Sequence, residues 1–216
     1  MQLRPCLLTL IASPALLLAS FAHPAAEQQF SADDILDWEP HSFAGETRYE
    51  RVEIDDRTAI HAICEGGTAS GLFYREDVDL RETPIIEWDW RVDETFSGID
   101  ETVKAGDDYA ARVYVVDESG VLRWRTRALN YVWASEKAKG EDWPNAYASQ
   151  ARMIAMRSGE DAGSGWQTER RNILEDFRQY HDREPDTINA VAIMTDCDDV
   201  GEPVEAWYGN IRFLTE

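Results

Sequence analysis

The chain has 216 residues, of which 42 are acidic and 21 are basic, so its formal net charge is −21 at pH 7. This length suits one domain and is short for two. The acidic excess argues against binding to nucleic acid or to anionic membrane surfaces, because both depend on Lys and Arg. No segment of the sequence is long and apolar enough to predict insertion into a membrane.

Residues 1–22 have the pattern of a secretory signal peptide. One positive charge at Arg4 precedes an apolar run from Cys6 to Ala19, and small residues follow up to Ala22. The run is too short to span a bilayer. We therefore predict a periplasmic or secreted protein whose mature chain starts just after Ala22, with a buried N-terminal helix as the alternative.

The region after the signal divides into a leader and one domain. Residues 23–34 are predicted to be a flexible leader, and residues 35–216 a single β-sandwich domain. Alternating runs at 48–54, 58–64 and 70–78 predict its first strands, with turn residues between them.

The run after Pro84 shows the clearest alternation in the chain. Its apolar side chains share one predicted face (Ile86, Trp88, Trp90, Val92), and its charged side chains share the other (Glu87, Asp89, Arg91). This pattern is typical of a half-buried antiparallel strand.

A strand predicted at 108–117 carries charges where a strand in a soluble domain normally has few. Ala111, Val113 and Val115 are predicted on one face, and the other face carries polar groups (Asp108, Arg112, Tyr114). Since a charge inside a strand needs a partner or a ligand, two alternatives are open for Arg112. It lies either on a surface open to water or in a buried structural cluster, and we favour the open surface.

The remaining chain adds strands, two long loops and one helix. Loops are predicted at 93–106 and 135–149, and long loops on compact domains are often functional. The predicted strands are 128–134, 151–157, 166–172, 187–196 and 205–214, and the helix is 174–180. Many short strands with little helix predict an all-β domain, an antiparallel two-sheet β-sandwich with one short helix.

Five motifs together resemble a family of bacterial exported proteins, the domain of unknown function 3047. The motifs are Gly106-Asp-Asp-Tyr-Ala-Ala-Arg-Val-Tyr-Val, Leu129-Asn-Tyr-Val-Trp133, Trp166-Gln-Thr-Glu-Arg-Arg-Asn172, Ala190-Val-Ala-Ile-Met-Thr-Asp196 and Tyr208-Gly-Asn-Ile-Arg-Phe213. The resemblance covers about residues 35–214 and implies export, a β-rich domain and no established activity. The element order is also similar to the jelly-roll sandwiches of carbohydrate-binding modules, a likeness of architecture that does not carry function.

Two cysteines follow the predicted signal, Cys64 and Cys197. In an oxidising compartment such a pair favours a disulfide, although two free thiols also fit. Both stand where the family pattern has other residues, and we therefore expect a Cys64–Cys197 disulfide. The four His are scattered and form no cluster with Cys, which argues against zinc.

The acidic stretch after Thr195 is similar in part to a calcium loop. An EF-hand would need different residues at Val200 and Trp207, so that motif fails. A looser calcium site made by Asp107, Asp196 and Asp198 is the remaining cofactor hypothesis. The alternative is that the aspartates of this region accept hydrogen bonds from Arg112 and backbone amides.

Polar and aromatic residues of several predicted strands and a loop suit a saccharide. Sugar rings stack on aromatic side chains, while Asp, Asn and Arg bind hydroxyl or acidic groups. The predicted ligand-binding residues are Asp108, Arg112, Asn130, Trp133, Trp143, Glu169, Arg171 and Asp196.

The sequence thus favours an exported, monomeric protein that binds a saccharide or a cell-envelope polymer. One alternative is a carbohydrate-active hydrolase or lyase with a carboxylate pair drawn from Asp108, Glu169 and Asp196. Another is a structural or partner-binding envelope protein. Common hydrolase motifs such as Gly-x-Ser-x-Gly and HExxH are missing from the sequence, so no catalytic residue is assigned.

Overall fold

The computed structural model describes residues 27–118 and 125–215. The predicted signal peptide and its cleavage point lie outside these residues. The described strands are β1 (Gln28–Phe30), β2 (Glu39–Ala44), β3 (Arg48–Ile54), β4 (Arg57–Cys64), β5 (Ala69–Tyr74), β6 (Val78–Asp79), β7 (Ile85–Arg91), β8 (Ala111–Asp117), β9 (Arg127–Trp133), β10 (Asp142–Pro144), β11 (Ala151–Arg157), β12 (Gln167–Asn172), β13 (Thr187–Ile188), β14 (Ala190–Asp196) and β15 (Val204–Leu214). The α-helices are α1 (Ala32–Leu36) and α2 (Ile173–His181).

Two large sheets form the layers of a sandwich. The six-stranded sheet has the order β12-β7-β15-β4-β3, with β1 paired beside β15, and the seven-stranded sheet has the order β10-β11-β9-β8-β14-β5-β2. Strands β6 and β13 form a separate short pair. This arrangement confirms the predicted two-sheet sandwich, with one departure: β11 and β9 run parallel, and the other described pairs of the large sheets run antiparallel.

Aromatic side chains fill the core between the two sheets. Alternation on β7 buries Trp88 and Trp90 and turns the charged residues between them away, as predicted. Trp88 stacks on Tyr131 of β9 with ring centroids 5.1 Å apart, and Trp90 meets Trp133 edge-on at 5.7 Å. Burying such large rings supplies much of the hydrophobic stabilisation of a domain of this size.

The chain enters the sandwich earlier than the sequence predicted. Strand β1 pairs with β15 from Gln28 onward, and the side chain of Ser31 caps α1 by accepting a hydrogen bond from the Asp34 amide. Phe30 and Ile35 are buried in the main core. The boundary predicted at residue 35 therefore falls inside α1, and the leader predicted as flexible is regular structure from Gln28, because these two apolar side chains pack on the sheets.

A second, smaller core lies on the outer face of the seven-stranded sheet. Its members are Tyr109, Val132, Ala134, Trp143, Met153 and Ala155. The long loop predicted at 135–149 contains β10, which pairs with β11 and carries Trp143 into this cluster. The loop is thus packed against the sheet, and it forms one side of the site described below.

A disulfide joins the two layers. Cys64 is the last residue of β4 in the six-stranded sheet, and Cys197 follows β14 of the seven-stranded sheet. Their Cα atoms are 6.1 Å apart. Among the described helices, none has the length and apolar character needed to cross a membrane.

Candidate functional site

A cleft of about 370 Å³ opens on the outer face of the seven-stranded sheet. Alternation on β8 and β9 places Arg112, Tyr114 and Asn130 on this face, opposite the core residues of the same strands. The cleft is lined by Phe43, Ala69, Asp107, Arg112, Tyr114, Asn130, Asn145, Tyr147, Ala148, Ala151, Met194, Asp196, Asp198 and Asp199. Six strands of the sheet (β2, β5, β8, β9, β11 and β14) and several loops therefore contribute residues here.

The strand that carries Arg112 begins later than predicted. Strand β8 starts at Ala111, and a 3-10 helix at Lys104–Gly106 precedes it. A Cβ atom at Gly106 would lie 2.5 Å from the carbonyl oxygen of Asp100, so only glycine allows this close approach. Asp107 and Asp108 therefore precede the strand, and Asp108 does not alternate with Arg112 within it, contrary to the prediction.

Arg112 and Asp196 form a buried ion pair beneath the cleft. The two residues are 3% and 2% exposed. The Arg112 Nε donates to Asp196 Oδ1 over 2.9 Å, and Nη2 donates to Asp196 Oδ2 and to the Asp107 carbonyl oxygen. The guanidinium also lies 4.3 Å from the ring centroid of Tyr109. Nη1 donates to the Tyr114 hydroxyl over 3.3 Å, so each guanidinium nitrogen of Arg112 has a partner, which corrects the open surface predicted for it.

Two buried acceptors in the lining have no partner among the described residues. Asp107 Oδ2 accepts from Asn145 Nδ2 over 2.7 Å, whereas its Oδ1 and the Oδ1 of Asn130 accept nothing. Burial raises the pKa of Asp107, and the nearby Arg112 opposes that shift. A buried polar atom without a hydrogen bond costs about 1–3 kcal/mol. Because Asp107 and Asn130 both line the cleft, these two oxygens are candidate acceptors for a ligand.

Two exposed aromatic rings stand at the edge of the cleft. Phe43 of β2 is 60% exposed and Tyr147 is 57% exposed, which is unusual for such large side chains in this protein. The Tyr147 hydroxyl donates to Asp199 Oδ1 over 2.5 Å, and this bond raises the pKa of Tyr147 to about 12. The hydrogen bond holds the ring in place, so the ring offers an oriented apolar surface beside polar groups.

Three aspartates converge at one end of the cleft. Asp108, Asp198 and Asp199 each offer a carboxylate oxygen within 4.8 Å of the others. Burial raises the pKa of Asp108 to about 6, although its Oδ2 accepts from the Val200 amide over 2.5 Å. The structure thus groups Asp108 and Asp199 with Asp198, whereas the sequence had grouped Asp107 and Asp196 with it. Asp196 is engaged by Arg112, so a calcium ion held by the predicted set is not supported by this geometry.

Two predicted tryptophans do not line the cleft. Trp133 lies on the opposite face of β9 from Asn130, inside the main core, and its Nε1 donates to the Ser158 carbonyl oxygen over 3.0 Å. Trp143 is 5% exposed and stacks on Tyr109 in the smaller core, with centroids 6.4 Å apart. Both are packing residues because the sheet and its covering loop enclose their rings.

Two predicted charged residues belong to the other sheet. Glu169 and Arg171 are on β12, at the edge of the six-stranded sheet. Glu169 accepts from Arg157 Nε over 2.5 Å, and Arg171 donates to the buried Asp176. Glu169 therefore does not join Asp108 and Asp196 at the cleft, so the three carboxylates considered for catalysis do not form one site.

Several residues of the cleft are not among the predicted ligand-binding residues. Asn145 and Tyr147 lie in the long loop that was predicted to be functional, so its length was the available signal. Phe43 lies in β2, a strand that alternation did not reveal because its side chains are half-buried or exposed. For Phe43 the sequence contains no signal that we can identify.

Glu101 organises the loops around the site and was also missed. Its side chain is buried, and its two carboxylate oxygens accept from the amides of Ser135, Glu136 and Lys137 at 2.8 to 3.1 Å. Burial raises the pKa of Glu101, and the three amides oppose that shift. The carboxylate thereby ties the loop before β8 to the loop that covers the sheet.

Fold and site together define a two-sheet β-sandwich with a cleft of mixed polar and apolar lining, edged by aromatic rings, on the outer face of one sheet. The chain belongs to the family described as "Protein of unknown function (DUF3047)", whose model matches residues 36–212. This match confirms the resemblance drawn from the five motifs. A search of curated proteins found no match to the sequence.

Solved structures similar to this chain include two carbohydrate-binding modules from Clostridium thermocellum cellulases. The family 11 module of Lic26A-Cel5E has 12% identity and a TM-score of 0.47, and the similarity covers 88% of this chain and 95% of that one. The family 30 module of Cel9D-Cel44B has 10% identity and a TM-score of 0.48, with 88% and 98% covered. The strand order of the two large sheets by itself identifies this chain as a two-sheet sandwich.

Proposed function

We propose that this protein is an exported saccharide-binding protein that holds its ligand in the cleft on the seven-stranded sheet. The observation that carries the proposal is the combination of exposed rings at Phe43 and Tyr147 with the unpartnered buried oxygens of Asp107 and Asn130. A sugar ring has apolar C–H faces and hydroxyl donors, so it complements both kinds of group.

The size of the cleft supports a small ligand or a short stretch of glycan. About 370 Å³ is near the lower end of the ~300–1,000 Å³ of small-molecule sites. The floor is pre-organised, because the Arg112–Asp196 pair and the Asn145 amide hold Asp107 from two sides. A rigid floor reduces the conformational entropy lost on binding. In this proposal Arg112 positions the acceptors and does not itself contact the ligand.

Export is supported by two independent features. The N-terminal 22 residues have the composition of a signal peptide, and the disulfide between Cys64 and Cys197 is of a kind that persists in oxidising compartments. A periplasmic or secreted location would also bring the cleft into contact with envelope or environmental glycans.

The proposal is tested by isothermal titration calorimetry against a panel of soluble oligosaccharides that includes neutral, amino and acidic sugars. For any sugar that binds, Phe43→Ala and Tyr147→Ala should each weaken binding about tenfold or more, equivalent to about 1.4 kcal/mol. Both side chains are more than half exposed, so their removal should leave the melting temperature nearly unchanged. Val103→Ala, which truncates an exposed apolar side chain outside the lining, is the matched control.

Two results would overturn the proposal. One is that no member of the panel binds. The other is that a sugar binds with equal affinity to the wild type and to the Phe43 and Tyr147 variants, since the ligand would then lie elsewhere on the molecule.

A further inference from the structure

The charge of the cleft narrows the class of saccharide, and this step rests on the proposed function. Among the residues that line the cleft, Asp107, Asp196, Asp198 and Asp199 are acidic and Arg112 is basic. Asp196 and Arg112 neutralise one another in the buried pair. Asp107, Asp198 and Asp199 remain as an uncompensated negative group around the space that a ligand would occupy.

Other charges near the cleft change this balance little. Lys104 Nζ lies 4.5 Å from the centroid of the Tyr147 ring. Among the lysines that the structure describes, it is the one that contacts an aromatic ring lining the cleft. If Lys104 is counted against the three remaining aspartates, two negative charges are still in excess. Asp108, at the same end of the cleft, adds a further carboxyl group.

Hydrogen bonding points to the same chemistry as the charge. Asp107 Oδ1 and Asn130 Oδ1 are both acceptors, and neither has a donor in the part of the chain that the structure describes. A protonated amine donates up to three hydrogen bonds and carries the compensating charge. Hydrogen bonds between charged partners are also about twice as strong as those between neutral ones. A neutral hydroxyl would satisfy the acceptors but would leave the negative charge of the aspartates uncompensated. A uronic acid would add its own negative charge to theirs.

We infer that the cleft selects an amine-bearing saccharide, a sugar with a free protonated amino group, over neutral and acidic sugars. The amine would be bound among Asp107, Asn130 and the aspartates at 198 and 199, with sugar faces against Phe43 and Tyr147. Recognition of this kind is electrostatic at its centre, so added salt should weaken it.

The inference is tested on the unaltered protein with three ligands of similar size in a buffer that contains a chelator. These are a glucosamine trimer, its N-acetylated counterpart and a galacturonic acid trimer. Calorimetry near pH 6 should show the glucosamine trimer binding at least tenfold more tightly than the N-acetylated trimer, with no detectable binding of the acidic trimer. Raising the salt concentration should reduce the preference for the amine.

A variant then locates the preference within the cleft. Asp107→Asn keeps the shape of the side chain and removes its charge, so it should reduce the preference for the glucosamine trimer at least several-fold. Its melting temperature is measured alongside. Asp186→Asn removes one charge from an exposed position outside the lining and should leave the preference intact.

The outcomes separate this inference from the proposed function. Equal binding of the amino and N-acetylated trimers, or tighter binding of the acidic trimer, would overturn the amine preference and leave a saccharide-binding cleft in place. If calcium added without chelator bound at the aspartates and displaced the glucosamine trimer, the charge would serve a metal ion and the inference would also be wrong. Failure of every saccharide would remove both proposals.

Discussion

At the scale of the residue, Arg112 and Asp196 show how a charged pair can be part of a sheet. Both side chains lie on the outer face of the seven-stranded sheet, yet they have almost no contact with solvent. Tyr109 contributes its backbone amide to Asp196 and its ring to Arg112. The pair is therefore satisfied by hydrogen bonds as well as by charge, which is the condition under which buried ions are tolerated.

Removal of Arg112 should strongly destabilise the protein. Arg112→Ala leaves the Asp196 carboxylate buried without its counter-ion, and breaking such a pair costs about 3–5 kcal/mol. Urea denaturation measures the free energy of unfolding. Arg48→Ala removes an exposed partner of Glu50 and should change this free energy by about 1 kcal/mol or less. If Arg112→Ala lost no more stability than the control Arg48→Ala, the buried pair would not contribute to the stability of the fold.

Asp108 should make stability depend on pH in a direction opposite to that of most surface aspartates. Burial raises its folded-state pKa to about 6, above the ~3.9 of an unfolded aspartate. Between about pH 4 and pH 6 the folded protein therefore binds more protons than the unfolded chain. The contribution of this group to stability falls as pH rises through that window, and its penalty is complete above about pH 6.

Asp108→Asn should relieve that penalty, because an amide is neutral and its oxygen can still accept from the Val200 amide. The free energy of unfolding of the variant, minus that of the wild type, should be larger at pH 7.5 than at pH 4.5. Urea denaturation with a chelator present checks this difference, and Asp186→Asn is the matched control at an exposed position. A difference of the same size at both pH values would contradict the assignment of Asp108 as the titrating group.

At the scale of the element, the site depends on how short strands and loops are held to the face of a sheet. Strand β10 has three residues, and it fixes the covering loop by pairing with β11. Trp143 on β10 packs into the smaller core, while Asn145 and Tyr147 just beyond it reach the cleft. Glu101 holds the start of the same loop through three amides. The loop is thus anchored at its start and at β10, which explains how loop residues can form a pre-organised binding surface.

Element boundaries also decide which residues can act together. The sequence 166–180 was predicted to change from strand to helix near Asn172, and the structure confirms this change. Asn172 ends β12 and caps α2 by accepting a hydrogen bond from the Glu175 amide. Pairing of β12 with β7 then places Glu169 and Arg171 on the sheet that does not carry the cleft.

At the scale of the whole molecule, the disulfide connects the two layers of the sandwich through two residues that are far apart in sequence. Cys64 and Cys197 are separated by 133 residues. Closing a loop of that length stabilises the folded state by about 4–5 kcal/mol in the chain-entropy model, because it restricts the unfolded chain. The cross-link lies at the same end of β14 as the cleft, so it also limits how far the acidic stretch at 198–199 can move from the six-stranded sheet.

Replacement of both cysteines by alanine should lower the melting temperature by about 10–20 °C for a domain of this size. Reduction of the unaltered mature protein should lower the melting temperature by a similar amount. Adding the reducing agent to the double alanine variant should cause no further decrease. Calorimetric melting, with thiol titration of the denatured protein, checks this. Two free thiols in oxidised protein would show that the bond does not form.

The sequence by itself determined the features that depend on local pattern. Period-two alternation predicted most of the strands and the inward direction of Trp88 and Trp90, because a pleated strand turns successive side chains to opposite faces. The five motifs together determined the family. The same alternation separates Asn130 from Trp133 on β9, so their assignment to one surface was an error that the pattern could have prevented.

Only the tertiary structure decided which residues form the cleft. Asp107, Asn145, Asp199 and Phe43 come from parts of the chain that are distant in sequence, and they meet because a covering loop packs against the outer face of a sheet. Asp107 and Tyr109, in the segment before β8, contact the Arg112 guanidinium from a part of the chain that does not belong to its strand. Local pattern specifies the faces of a strand, whereas the choice of sheet neighbour and of the loop that covers a face follows from long-range packing, which no single stretch of sequence contains.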